Sequence, residues 1–191
     1  GRRPDPVALV TAERRNELLA VDLRTGKIRR RIMVPADPEN VAVGAAAVLV
    51  STAARTVTVL DPLTLHVVAE LYGFTAPHIP AIAPDGKYAY ITDDEAGTVT
   101  AIRLSDAKRF PAVAVGNGAQ HLALSPDGRR LWIALGESAR TIVVLDIAER
   151  GRPQVLRRFD PGFAVHDLSF SADGRDVWLT AASGPDVTVL D

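Results

Sequence analysis

His121-Leu122-Ala123-Leu124-Ser125-Pro126-Asp127-Gly128 is a short apolar run closed by a tight-turn signal. Two variants of it occur, Ala81-Ile82-Ala83-Pro84-Asp85-Gly86 upstream and Ser169-Phe170-Ser171-Ala172-Asp173-Gly174 downstream. The closing glycines are 42 and 46 residues apart. A period in the forties with a strand in each unit marks a repeat architecture, in which each unit buries its apolar faces against its neighbours. Pro presets φ and Gly tolerates a left-handed conformation, so each run ends in a turn.

A second element carries the same period. Leu19-Ala20-Val21-Asp22, Val57-Thr58-Val59-Leu60-Asp61, Val99-Thr100-Ala101-Ile102-Arg103, Val143-Val144-Leu145-Asp146 and Val187-Thr188-Val189-Leu190-Asp191 end at steps of 39, 42, 43 and 45 residues. Rich in Val, Thr and Ile and bounded by Gly, Pro and Asp, they read as strands. Each unit resolves into four. The first is Gln120 to Ser125 in the clearest copy, and the second is Leu131 to Leu135, matched by Tyr88 to Thr92 and Val177 to Ala181. The third is the Val-Thr element. The fourth carries more charge: Lys27 to Val34, Leu65 to Leu71, Arg109 to Val115 and Gln154 to Phe159. No stretch shows sustained helical periodicity with caps.

Four antiparallel strands repeated at about 40–45 residues predict an all-β chain of β-propeller blades. The units fall at 7–34 (second to fourth strands only), 39–71, 78–115, 120–159 and 165–191 (first to third strands only), about four and a half blades. That makes eighteen strands, whereas a closed four-bladed ring needs sixteen. The expectation is therefore an open segment of a larger ring, seven-bladed by the usual size of such rings. Small residues (Ala45-Ala46-Ala47, Ala53-Ala54, Ala81, Ala83, Ala89) suit face-to-face packing of twisted sheets. Arg29-Arg30-Arg31 and Arg157-Arg158 fall on fourth strands, where charge guards an outer edge; a basic patch for an acidic partner is the less favoured alternative.

Composition narrows the function classes. The 191 residues are 47% apolar with a net charge of −1, which argues against the basic footprint of nucleic-acid binding. The absence of cysteine excludes disulfides, thiolate catalysis and iron–sulfur clusters. No apolar run approaches the ~20 residues of a membrane-spanning helix. Gly1-Arg2-Arg3-Pro4-Asp5-Pro6 contains neither an initiator Met nor a signal peptide, so the sequence reads as a processed or excised piece.

Leu122 to Ile133, with its Ser125-Pro126-Asp127-Gly128 core, and Thr56-Val57-Thr58-Val59-Leu60-Asp61 resemble the YVTN-type β-propeller repeats of bacteria and archaea. The resemblance runs from about Val7 to Asp191, with the tetrapeptide degenerate as Tyr90-Ile91-Thr92-Asp93 and Leu49-Val50-Ser51-Thr52. Related propellers include the haem-bearing domain of cytochrome cd-type nitrite reductases, phosphogluconolactonase-like proteins and exported binding proteins. The resemblance implies a periplasmic, secreted or cell-surface location, and first strands that line a central channel. It specifies fold far better than function.

On that arrangement, specificity enters at the start of each first strand: Glu39-Asn40, His78-Ile79, Gln120-His121 and His166-Asp167. Counted back from the turn, His78, Gln120 and His166 are equivalent, with His121 and Asp167 one step later. Imidazoles there suit first-row metals, haem or an anion. The favoured alternative is local hydrogen bonding from strand to loop, as in WD-repeat proteins, since adjacent blades should hold such residues too far apart to converge on one metal. His66, on a fourth strand, is expected to be exposed. Asp93-Asp94-Glu95 offers carboxylates for a hard cation such as Ca²⁺, but lacks the alternating ligands of an EF-hand loop and reads as a solvated loop.

Gly116-Asn117-Gly118-Ala119-Gln120-His121 lacks the last glycine and the helix of a dinucleotide fingerprint. Gly136-Glu137-Ser138-Ala139-Arg140 fails as a nucleophile elbow. Trp132 and Trp178 share one register and read as inter-blade packing. No catalytic motif is present. The leading expectation is a non-catalytic propeller that binds a small molecule or protein at its top-face loops, with His78, Gln120, His121, His166, Asp167, Asn40, Asp93 and Asp94 as candidate contacts and no resident cofactor. The alternatives are a haem- or divalent-metal-binding or lactonase-like propeller using the histidines, and a WD-like intracellular scaffold. A lactonase should bring clustered carboxylates and a basic residue into the channel, a set the sequence does not visibly supply.

Overall fold

The computed structural model describes residues 6–137 and 139–191; Ser138, the centre of the rejected nucleophile elbow, and the N-terminal Gly1 to Asp5 lie outside the described residues. The chain forms five antiparallel sheets in sequence order. The first holds β1 (Val7–Ala12), β2 (Glu17–Asp22) and β3 (Ile28–Met33). The second holds β4 (Pro38–Val43), β5 (Val48–Thr52), β6 (Thr56–Leu60) and β7 (Val67–Leu71). The third holds β8 (Pro77–Ile82), β9 (Tyr88–Asp93), β10 (Thr98–Arg103), β11 (Lys108–Arg109) and β12 (Val113–Ala114). The fourth holds β13 (Leu122–Leu124), β14 (Arg130–Ala134), β15 (Ile142–Asp146) and β16 (Gln154–Phe159), and the fifth β17 (Val165–Phe170), β18 (Val177–Ala181) and β19 (Val187–Leu190). A 3-10 turn, Glu13–Arg15, joins β1 to β2.

Among the described residues nineteen strands replace the expected eighteen because one fourth strand is broken. Pro111 has no N–H to give the ladder, so β11 and β12 pair separately with β10 on either side of it. β17 pairs with β18 alone and β1 with β2 alone, so the last first-position strand does not complete the first sheet. A four-bladed ring closed by strand sharing is thereby excluded.

The core is four layers, one between each pair of successive sheets. Leu18, Ala20 and Ile32 pack on Val48, Val50 and Leu60 at the first junction. Leu49, Val57 and Val59 meet Ala89, Ile91 and Ile102 at the second. Tyr90, Val99 and Ala101 meet Leu131, Ile133, Val143 and Leu145 at the third. At the fourth, Ala134, Ile142 and Val144 meet Val165, Leu168, Val177 and Leu179. Interior strands are therefore buried on both faces: every residue of β5 and β6 is buried, whereas β18 and β19 alternate with exposure. Trp132 makes T-shaped contacts with Phe159 and with Phe170 of the next sheet, as a packing residue should. Trp178, at the same register on the fifth sheet, is 49% exposed.

The repeated motifs have local causes. Asp22, Asp61 and Asp146 each accept N–H groups two or three residues on, turning the third strand into the fourth. Gly128 holds φ +65 in the Ser-Pro-Asp-Gly turn, where Ser125 Oγ donates to Asp127 Oδ1 and Asp127 accepts from the Arg129 N–H. The fourth-strand arginines do more than guard an edge. Arg29 pairs with Asp22 and Arg31 with Glu17, while Arg109 and Arg158 donate to Tyr72 O and Val115 O at the close of the preceding sheet.

Candidate functional site

The start of each first strand is irregular, and that irregularity builds the site. Register shifts by one residue in each of three first strands, between Pro38 and Asn40, between Pro77 and Pro80, and between Val165 and Asp167. A bulge frees one residue from the ladder and re-aims its side chain. The freed residues are Glu39, His78 and His166, with Gln120 in the equivalent place ahead of β13.

Each bulge is fastened from the preceding sheet. Thr11 Oγ1 donates to Glu39 O at 2.9 Å, Ser51 Oγ to His78 O, and Thr92 Oγ1 to Gln120 O at 2.7 Å. Thr92 Oγ1 also accepts from Ile79 N at 2.9 Å, closing the bulge of its own sheet, as Thr180 Oγ1 does for Asp167 N at 3.0 Å. The three donors occupy one register on the second strand, opposite Leu18, Val57 and Val99. The fourth position, opposite Ile142, is Ala134. No hydroxyl is there to reach His166.

Three histidines consequently meet. The His78 and His121 rings lie 5.2 Å apart, edge to face, and the His121 and His166 rings 4.7 Å apart. The equivalent positions His78 and His166 are bridged by His121, one step along from Gln120, which touches both rings. The contacts are ring to ring, however. Among the described residues no group of three or more His, Asp or Glu side chains is placed to hold a metal ion.

Asp167 flanks the stack, its Oδ1 3.4 Å from His121 Nδ1. That contact, with help from the Leu168 N–H, holds the Asp167 carboxyl below the usual carboxylate range against the opposing pull of burial. Gln120 Nε2 donates to Asp94 Oδ2 at 3.0 Å, tying the first strand of the fourth sheet to the β9–β10 loop. His78 Nδ1 is buried with no hydrogen-bond partner.

Two confluent cavities open here. One of about 710 Å³ is lined by His78, Gln120, His121 and His166 with the Asp94, Glu95 and Glu137 carboxylates. Its neighbour, about 620 Å³, shares His78, Asp94 and Glu95 and adds Glu39, Asn40 and Arg55, with Glu13 and Asp37 at its rim. Six carboxylates thus face a single guanidinium, and none of the six is in an ion pair among the described residues. The expectation that no carboxylate cluster with a basic residue would be supplied is corrected by Arg55 and its acidic surroundings. Gly118 closes the wall: at φ +78, a Cβ there would stand 2.5 Å from Leu135 O.

Of the residues singled out in the sequence, Asn40, His78, Asp94, Gln120, His121 and His166 line the cavities, and Asp167 supports His121 from the edge. Asp93 does not belong to the lining. It is 3% exposed and accepts the N–H groups of Thr75, Ala76 and Ala96, so its role is to fix the loops. His66 is exposed, as expected of its position. Glu137 and Glu95 were missed as a pair, although both stand nine residues past a turn glycine, Gly128 and Gly86.

No family model matches the chain, and no curated protein does. Solved structures do match. The chain superposes on hydrazine synthase of Kuenenia stuttgartiensis with TM-score 0.82 at 21% identity, covering 97% of this chain and 59% of that one. A functionally unknown protein from Desulfotomaculum acetoxidans gives 0.80 at 16% identity, over 94% and 60%. Dihydro-heme d1 dehydrogenase NirN in complex with DHE gives 0.74 at 19% identity, over 98% and 42%. The chain spans about three-fifths or less of the length of these structures. Identities this low establish the fold alone: with its five antiparallel sheets, the chain is β-propeller in architecture.

Proposed function

We propose that the chain is a non-catalytic binding propeller whose site is the mouth formed by the bulged starts of its first strands. The observation that carries this reading is the convergence of His78, Gln120, His121 and His166 on one cavity of about 710 Å³. Concave sites with a few convergent polar groups are where ligands bind. The surplus of carboxylates favours a polar ligand with positive charge, a small amine or a basic segment of a partner protein. The same reading takes the chain as part of a larger ring working outside the cytoplasm, as the YVTN-like repeats imply. The exposed apolar residues on the flanking sheets, Val7 and Val10 on one and Trp178, Val187 and Val189 on the other, support the larger ring.

The test is calorimetric titration of the intact protein with spermidine and with an arginine-rich peptide, repeated on His78→Ala and Gln120→Ala. Saturable binding weakened about tenfold or more by either substitution, with the probe recovered unchanged, is the expected result. Binding indifferent to both substitutions, or a histidine-dependent absorbance band on adding haem, overturns it.

A second reading has one observation in its favour, the placement of Arg55 among Glu13, Asp37, Glu39, Asp94 and Glu95. A carboxylate base beside a guanidinium suits hydrolysis of a lactone, where the cation stabilises the developing oxyanion. Ring opening of a sugar lactone, followed by pH-stat and abolished in Arg55→Ala, would establish it in place of the binding reading.

A further inference from the structure

The four junctions between the five sheets are built on one plan and differ in one respect. At the first three, a neutral hydroxyl of the second strand (Thr11, Ser51, Thr92) donates to the bulge carbonyl of the next sheet. At the fourth, that register holds Ala134, fully buried and without a donor. What crosses this junction at the channel mouth is His121, 3.4 Å through Nδ1 from Asp167 and in ring contact with His166. A hydroxyl-to-carbonyl bond does not titrate in the physiological range, whereas an imidazole against a carboxylate does.

We propose that the fourth junction is a proton-operated clasp. Uptake of one proton by the His78–His121–His166 stack charges His121 against Asp167 and draws the fifth sheet onto the fourth. Loss of that proton relaxes the sheet and the cavity wall that His166 forms. The clasp concerns the joint, goes beyond the binding reading and does not depend on what the cavity takes.

His121 touches both other rings, so a second charge on His78 or His166 would sit about 5 Å from the first and be opposed by it. Asp167 is the carboxylate in contact with the stack. Asp94, Glu95 and Glu137 face the same cavity from the β9–β10 and β14–β15 loops, with Asp94 already engaged by Gln120. Tightening therefore occupies a window. Above it His121 is neutral; below it Asp167 takes a proton, the pairing is lost and the crowded imidazoles repel.

Hydrogen exchange of the intact protein tests this, with β4–β5 peptides, which carry no member of the stack, as the internal reference for the intrinsic pH dependence. Relative protection of β17–β18 should be about threefold greater at about pH 5.5 than at about pH 8. In Asp167→Asn the ratio should become independent of pH. In Ala134→Ser, which restores the hydroxyl that Ser51 supplies at the second junction, protection should be high and nearly flat across the range. An Asp167→Asn profile matching the parent protein overturns the clasp, as does a pH response equally large at β4–β5. If Asp167→Asn does not fold, an Ala134→Ser protein that keeps the full pH dependence overturns it equally.

Discussion

The third and fourth junctions join sheets of the same architecture by different chemistry. At the third, Tyr90 is fully buried and its hydroxyl donates to Arg150 O at 3.2 Å. Arg150 in turn donates to Gly128 O and pairs with Asp85 across the junction at 3.1 Å. Thr92 fastens the channel end, Arg158 holds Val115 O, and the space between is filled by aliphatic side chains. The fourth uses Trp132 between Phe159 and Phe170, with Arg157 over the indole, and has the His121–Asp167 pair where a hydroxyl bond stands elsewhere. The lesson is that propeller packing tolerates either solution, because the sheets need only buried area and satisfied polar groups at the joint. A hydroxyl-to-carbonyl latch at the channel mouth has no proton to exchange near neutrality; an imidazole against a carboxylate does.

The strongest way to break this contrast is to hollow the third junction. Leu145→Ala removes a fully buried side chain of its core, and the cavity left should cost about 2–5 kcal/mol, measured by urea unfolding. Leu190→Ala, on the partly buried rim of the fourth junction, should cost clearly less. Next in size is the latch. Thr92→Val keeps the shape but leaves Gln120 O and Ile79 N without their hydroxyl partner, for a loss of about 1–3 kcal/mol by the same measurement.

Tyr90→Phe should cost about 0.5–1.5 kcal/mol, and it carries a spectroscopic signature. Burial pushes the Tyr90 phenol up to about 12, against an ordinary value of 10.0. Being raised, it contributes stability that is complete below pH 10 and is lost as pH climbs toward 12. The tyrosinate absorbance missing from Tyr90→Phe should therefore develop near pH 12. The smallest effect lies at acid pH. The Asp167 carboxyl is lowered in the folded protein, so its contribution is present above 3.8 and disappears as pH falls through the folded value. Asp167→Asn should flatten that acid limb of the stability curve, followed by thermal melts between about pH 2 and pH 5.

Repeats made the fold readable. Three Pro/Ala-Asp-Gly turns and five Val-rich strands state the period directly, whereas the break at Pro111 was passed over in reading Arg109 to Val115 as one strand. The site was half readable. Counting back from Gly86, Gly128 and Gly174 finds His78, Gln120 and His166, but no count says that a bulge will turn their side chains together. Bulges depend on the pairing between strands, and a single strand's sequence does not encode its partner's register. Asp93 misled for a related reason: a carboxylate in a loop reads the same whether it faces solvent or three backbone N–H groups. Arg109 and Arg158, charged residues on outer strands, gave no sign of the carbonyls they reach.

The bulges also bear on how such a protein changes over generations. At Glu39, His78 and Gln120 the fold is fastened through the main-chain carbonyl, which every amino acid possesses. The side chain is released from the ladder, and of the three only Gln120 adds a hydrogen bond of its own between sheets, to Asp94. Replacement at these positions alters what the mouth presents while leaving the carbonyl latch in place, so mutational drift can sample new recognition surfaces at reduced risk to folding. Each blade thus supplies one interchangeable letter, and the channel mouth is the word they spell.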